Sequence, residues 1–145
     1  MGLLHLCDEQ PATVRPETSA SAAIQLMLDH RVGAVTVLDD DAVVAGVFTE
    51  RDVLRKLALS GKDPAKTPVA ELMTTPVVLA TPDTSPGEAF SIMMERHFRH
   101  LPIVDDRGRL VGMLSIRNLL QWRVDELTDR LDTMEQYITN DAMGG

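Results

Sequence analysis

The residues best suited to chemistry lie in two short runs, Thr49-Glu-Arg-Asp52 and Ser115-Ile-Arg-Asn118. Each follows an apolar, strand-like run and opens a helix-like pattern, which puts a hydroxyl at a helix start and an acceptor three residues on. A helix start carries unpaired N–H groups that attract an anion, and the hydroxyl adds a donor. A carboxylate there, such as Asp52, can accept hydrogen bonds from the vicinal hydroxyls of a ribose. The same residues also make an ordinary cap, with Thr49 as N-cap and Asp52 at the third helical position, so capping and binding both stand as readings.

Other chemistries find less support. His97 and His100 form an H-x-x-H pair, but a metal site needs further Cys, His or carboxylate ligands on the same face, and His30 in the other half has no second histidine beside it. We therefore expect a surface His97, a cleft-facing His100 and no metal. No Ser, His and Asp set, phosphate loop or G-x-G-x-x-G run occurs, so catalysis has no candidate residues and no cofactor is required. Cys7 is the only cysteine, which excludes an internal disulfide; it reads as a small apolar residue in an N-terminal helix.

The elements that position these runs come in duplicate. A shift of 66 positions, the distance from Gly46 to Gly112, lays Gly46-Val-Phe-Thr-Glu-Arg-Asp52 on Gly112-Met-Leu-Ser-Ile-Arg-Asn118 and Pro16-Glu-Thr-Ser19 on Pro82-Asp-Thr-Ser85. In the first copy we expect a helix to about His30 and strands Val35–Leu38 and Val43–Phe48. A helix from Glu50 follows, with Val53, Leu54 and Leu57 on one side, ending near Ser60 to Pro64. The second copy predicts a helix from about Pro86 to His97, strands 101–104 and 110–114, and a helix from Ile116. Apolar segments Leu3–Leu6 and Val69–Leu72 precede the copies. Met27, Met93 and Met94 sit at helical core spacing. The order gives an α+β fold of two small sheets with flanking helices about a pseudo-twofold axis. We divide it as 1–61 for the first repeat, 62–123 for the second, and 124–145 for a C-terminal helical extension.

From Leu120 the apolar residues Val124, Leu127, Leu131, Met134 and Ile138 alternate four and three apart, the spacing of a heptad seam. Nothing corresponds to this amphipathic helix after the first copy. It either folds back on its own domain or meets a second subunit. Ala142-Met-Gly-Gly145 reads as a frayed end.

These motifs resemble the cystathionine-β-synthase (CBS) domain pair, or Bateman module. The resemblance rests on Gly46–Asp52, Arg99-His-Leu-Pro-Ile-Val-Asp105, Gly112–Asn118 and Val69-Ala-Glu-Leu-Met-Thr74, and the Thr49–Lys56 run is similar to stand-alone bacterial modules. It implies a regulatory sensor that binds an adenine nucleotide (AMP, ADP, ATP or NAD) between the repeats. Adenine would lie against the strand containing Ala34 and Val35. One cleft would use Thr49 and Asp52 from the first copy and Arg99, His100 and Arg117 from the second. The other would pair Ser115 and Asn118 with Arg51, near Leu101 and Pro102, but Gly33 and Ala34 stand where the first has Arg99 and His100. Fewer donors and an uncharged Asn118 predict a weaker second site. The resemblance also implies a face-to-face homodimer, clamped by the tail helix, that signals to an unidentified regulated protein. The alternative is a ligand-independent interaction and dimerisation module.

The bulk numbers agree with a small-molecule ligand. A net charge of −8 opposes nonspecific binding to nucleic acid or anionic lipid, so any nucleotide needs a local basic pocket. No run approaches the roughly 20 apolar residues of a membrane span, and the N-terminus lacks a basic signal start, which predicts a cytoplasmic protein without membrane contact. With aromatics at 3%, the core must be aliphatic.

Overall fold

The computed structural model describes residues 2–144, and the surroundings of side chains as far as Ile138. Strand β1 (Thr13–Val14), helix α1 (Ala20–His30), strands β2 (Ala34–Leu38) and β3 (Val44–Thr49) and a short helix α2 (Glu50–Asp52) build the first repeat. Helix α3 (Pro86–Arg96), strands β4 (His100–Val104) and β5 (Leu110–Ser115) and the long helix α4 (Ile116–Gly144) build the second. The chain is thus an α+β pair of repeats, each a helix on a small sheet.

Local chemistry starts and stops these elements alike in both copies. Ser19 and Ser85 cap α1 and α3 by accepting from the Ala22 and Glu88 N–H groups. Arg31 and His97 end the helices in the left-handed conformation, with φ of 55° and 59°. β2 and β4 each pair antiparallel with the next strand and shift register near the turn, at Val37/Leu38 and Ile103/Val104. The sequence reading missed β1, whose two residues pair parallel with β2, because so short a run has no detectable period.

Each repeat has its own aliphatic core, and each core borrows a segment. Val69 and Leu72, which precede the second copy, pack with Val35, Val37 and Phe48 in the first core. Leu3, which precedes the first copy, is fully buried with Met93, Leu101 and Leu114 in the second. Thr74 pairs with Val47 through both backbone bonds, and Asp8 pairs with Met113 likewise. These straps run so close to the sheets that a Cβ on Gly46 would lie 3.1 Å from the Thr74 carbonyl oxygen, and one on Gly112 3.2 Å from that of Asp8. A third cluster of Ala34, Val47 and Met113 joins the sheets.

Four local expectations need correction. The helix after β3 is α-helical only to Asp52 and then widens into a π-helical turn over Val53–Leu57, so Leu57 is buried while Leu54 is 72% exposed. The added residue in that turn rotates the two leucines apart. The segment around Cys7 is a turn closed by Leu6 and Cys7 N–H bonds to the Leu3 carbonyl, not a helix. Met27 and Met93 are core, but Met94 is exposed because it lies one residue, about 100°, further round α3. Finally, α4 keeps its helical backbone through Ala142–Gly144, where a frayed end was expected; Gly145 lies outside the described residues.

Candidate ligand cleft between the repeats

Where β3 turns into α2, Thr49 adopts an extended backbone and caps the helix: its Oγ1 accepts from the Asp52 N–H at 3.2 Å, and the Asp52 carboxylate accepts from the Thr49 N–H at 3.0 Å. This reciprocal box holds both side chains at a helix start, the geometry that the residue spacing predicts. Ser115 makes only half of it, accepting from the Asn118 N–H at 3.1 Å.

The first helix start opens onto a cavity of about 980 Å³. Thr49, Glu50, Arg51, Asp52, Leu54, Arg55 and Lys56 line one side, and Arg96 to His100 face them from the second repeat. Thr74 and Val77 close it from the strap and Gly33 from the loop before β2. A Cβ at Gly33 would lie 3.3 Å from the Glu50 carboxyl and 3.4 Å from the His100 ring, so the loop passes close to both side chains. Five cationic side chains (Arg51, Arg55, Lys56, Arg96, Arg99) meet two carboxylates (Glu50, Asp52) around this space. The cavity is therefore a basic enclave in a chain of net charge −8. Burial pushes the His100 pKa below its ordinary 6.5, Glu50 opposes that shift and Arg99 adds to it, so the ring is neutral at pH 7.

Of the residues expected in the stronger cleft, Thr49, Asp52, Arg99 and His100 line this one cavity. Arg117, Ala34 and Val35 do not. Arg117 is an exposed residue in the first turn of α4, Ala34 belongs to the cluster between the sheets, and the strand alternation turns Val35 into the first core. Arg51, expected in the weaker cleft, lines the same cavity as Thr49 and Asp52 and donates to the His97 carbonyl at 3.2 Å. That bond carries the Arg51 guanidinium across the cavity to the end of α3 in the second repeat. Ser115, Asn118, Leu101 and Pro102 also lie away from it, Leu101 being buried in the second core. Glu50, Arg55, Lys56, Thr74 and Arg96 were missed. Arg55 and Lys56 had a signal in their position one helical turn beyond Arg51 and Asp52, whereas Thr74 had none, being 22 residues from Asp52 in the chain.

Among the described residues no group of three His, Cys, Asp or Glu side chains is arranged to hold a metal, and no helix is long and apolar enough to cross a membrane.

Fold and cavity together define a paired-repeat α+β module with a cation-lined cleft at the repeat junction. The CBS domain family matches the chain twice, over residues 5–59 and 69–125, and the chain belongs to that family. It is similar to an uncharacterized 17.7 kDa protein of Acidianus ambivalens, 38% identical over 77% of this chain and 66% of that protein. Two further curated relatives are covered over only 56% and 58% of their length. Among solved structures, the CBS-domain containing protein ATU1752 of Agrobacterium tumefaciens is 35% identical with a TM-score of 0.75, covering 83% of this chain and 90% of that one. CBSX2, solved in complex with AMP, is 26% identical with a TM-score of 0.73, covering 86% of this chain and 96% of that one.

Proposed function

We propose that this CBS pair is a regulatory module, not an enzyme, that binds an adenine nucleotide in the cleft and passes its occupancy to a partner protein. AMP, ADP, ATP and NAD are the candidate ligands, and the module acts as a homodimer in the cytoplasm. The observation that carries this reading is the gathering of five cations and a capped helix start around one cavity in an acidic chain. Phosphates meet Arg96 and Arg99 from one repeat and Arg51 and Arg55 from the other, through charge-assisted hydrogen bonds. The Asp52 carboxylate takes the ribose hydroxyls. A relative of the same fold solved with AMP supports the choice of an adenine nucleotide. Because such a ligand bridges both repeats, it favours whichever arrangement brings them together, and this differential binding is the signal.

Calorimetric titration with AMP, ATP, NAD and S-adenosylmethionine tests the reading. Asp52→Ala is expected to weaken binding by about tenfold or more, as loss of a charge-assisted hydrogen bond implies, and Asn118→Ala to have little effect. Folded protein that gives no heat with any of the four ligands rules out the nucleotide reading, and equal effects of the two variants contradict a single strong site.

A further inference from the structure

Protein donors hold three of the roughly four lone-pair sites of the Asp52 carboxylate, and an ammonium crowds it. Oδ2 accepts from the Thr49 N–H at 3.0 Å and the Thr49 hydroxyl at 3.2 Å. Oδ1 accepts from Thr74 Oγ1 at 2.9 Å and forms an ion pair with Lys56 Nζ at 3.2 Å. A ribose diol that makes two hydrogen bonds to this carboxylate must therefore displace one of its neighbours. The Thr49 N–H is fixed by the cap, and the Thr74 main chain is held by two backbone bonds to Val47. Lys56 is the donor free to leave, since its side chain is 42% exposed and its long stem can carry the ammonium to water or to a phosphate.

Lys56 also does something the other donors do not. Its ammonium donates to the Leu72 carbonyl at 3.1 Å and the Met73 carbonyl at 3.4 Å. Together with the ion pair to Asp52, these two bonds hold the ammonium between the carboxylate and the strap. The two carbonyls lie on the strap that connects the repeats and seals the first core. The 66-residue shift puts Trp122 where Lys56 stands, Asn118 for Asp52 and Asp8 for Thr74, so the second repeat cannot form this arrangement.

We propose that Lys56 is an occupancy-sensing latch: in the empty cleft it fills the sugar anchor and pins the inter-repeat strap, and a ribose-bearing ligand must expel it and so release the strap. This rests on the nucleotide reading above and adds to it a competitor built into the chain and a route by which occupancy reaches the strap.

The test compares wild type, Lys56→Met and Lys56→Arg by calorimetric titration with adenosine and ATP, and by amide hydrogen exchange at Leu72, Met73 and Thr74. Adenosine, which has no phosphate, is expected to bind Lys56→Met about tenfold more tightly than wild type, while ATP gains less because a phosphate cation is lost. Lys56→Arg, which keeps a cation in reach, restores the wild-type adenosine affinity. Exchange at the strap should rise in wild type on adding ATP; in Lys56→Met it should be fast without nucleotide and rise no further. Equal adenosine affinity in wild type and Lys56→Met overturns the latch, as does strap exchange that neither ATP nor the substitution alters. If neither ligand binds either protein, the nucleotide reading fails, and ligand-free exchange judges the latch: equal rates in the two proteins overturn it.

Discussion

Ala42 and Gly108 occupy equivalent hairpin turns with φ of 63° and 79°, a left-handed backbone that costs an ordinary residue about 1 kcal/mol and glycine almost nothing. Ala42→Gly is therefore expected to stabilise the protein by up to about 1 kcal/mol and Gly108→Ala to destabilise it by at least as much, as read from urea unfolding midpoints. Opposite signs are the essential outcome, since equal losses would mean that the turns are not equivalent. His100 yields a second expectation at this scale. Burial lowers its folded pKa below 6.5, so the unfolded chain binds the proton more readily. The stability this contributes is complete above the unfolded value and is lost as the pH falls through 6.5 toward the lower folded value. His100→Gln should flatten the stability profile in that window, and an unchanged slope would show that the ring is not shielded. Residue types announced Thr49 and Asp52, because a hydroxyl and a carboxylate at a strand end already imply a use, whereas Arg99 and His100 followed from the resemblance to CBS pairs. Arg51 lines this cavity and Arg117 does not, because the repeat shift tells which residues are equivalent, not which opening each one faces.

At the scale of elements, repeat patterning located the four main strands and the capped helices, since alternation and N-cap chemistry are local properties. It failed at Val53–Leu57, where apolar spacing fits an α-helix but the chain must widen to let Leu57 reach the core and Lys56 reach the strap. The seam of α4 is equally local in origin and stays open in one chain: Val124, Leu127, Leu131, Met134 and Ile138 are 45–62% exposed, while Glu126 ties Arg123 and Arg130 along the helix. A second copy of the helix would cover such a face, as the proposed homodimer requires. Leu131→Glu is expected to convert a dimer to a monomer in sedimentation at micromolar concentration while leaving the far-ultraviolet helix signal largely intact. A variant that sediments like wild type would place the dimer contact elsewhere.

For the molecule as a whole, the decisive feature is that each repeat is completed by the segment preceding the other. Leu3 is fully buried beside Ala89, Met93 and Leu101, so Leu3→Ala should cost about 2–5 kcal/mol although it lies near the N-terminus. Hydrogen exchange should rise first in β4 and β5 of the second repeat rather than in β2 and β3, and the reverse order would contradict the exchange of segments. The amino-acid sequence alone settled the duplication, the α+β class and the family, because repeat length, period and turn chemistry are written in neighbouring residues. It also singled out the first helix start as richer in polar groups than the second. Only the tertiary structure decided that Leu3 and Val69 cross to the opposite cores, that Thr74 and Lys56 close over Asp52, and that Arg51 and Arg99 line one space. Those are contacts between residues far apart in the chain, selected by which surfaces bury together, and no local pattern encodes that choice.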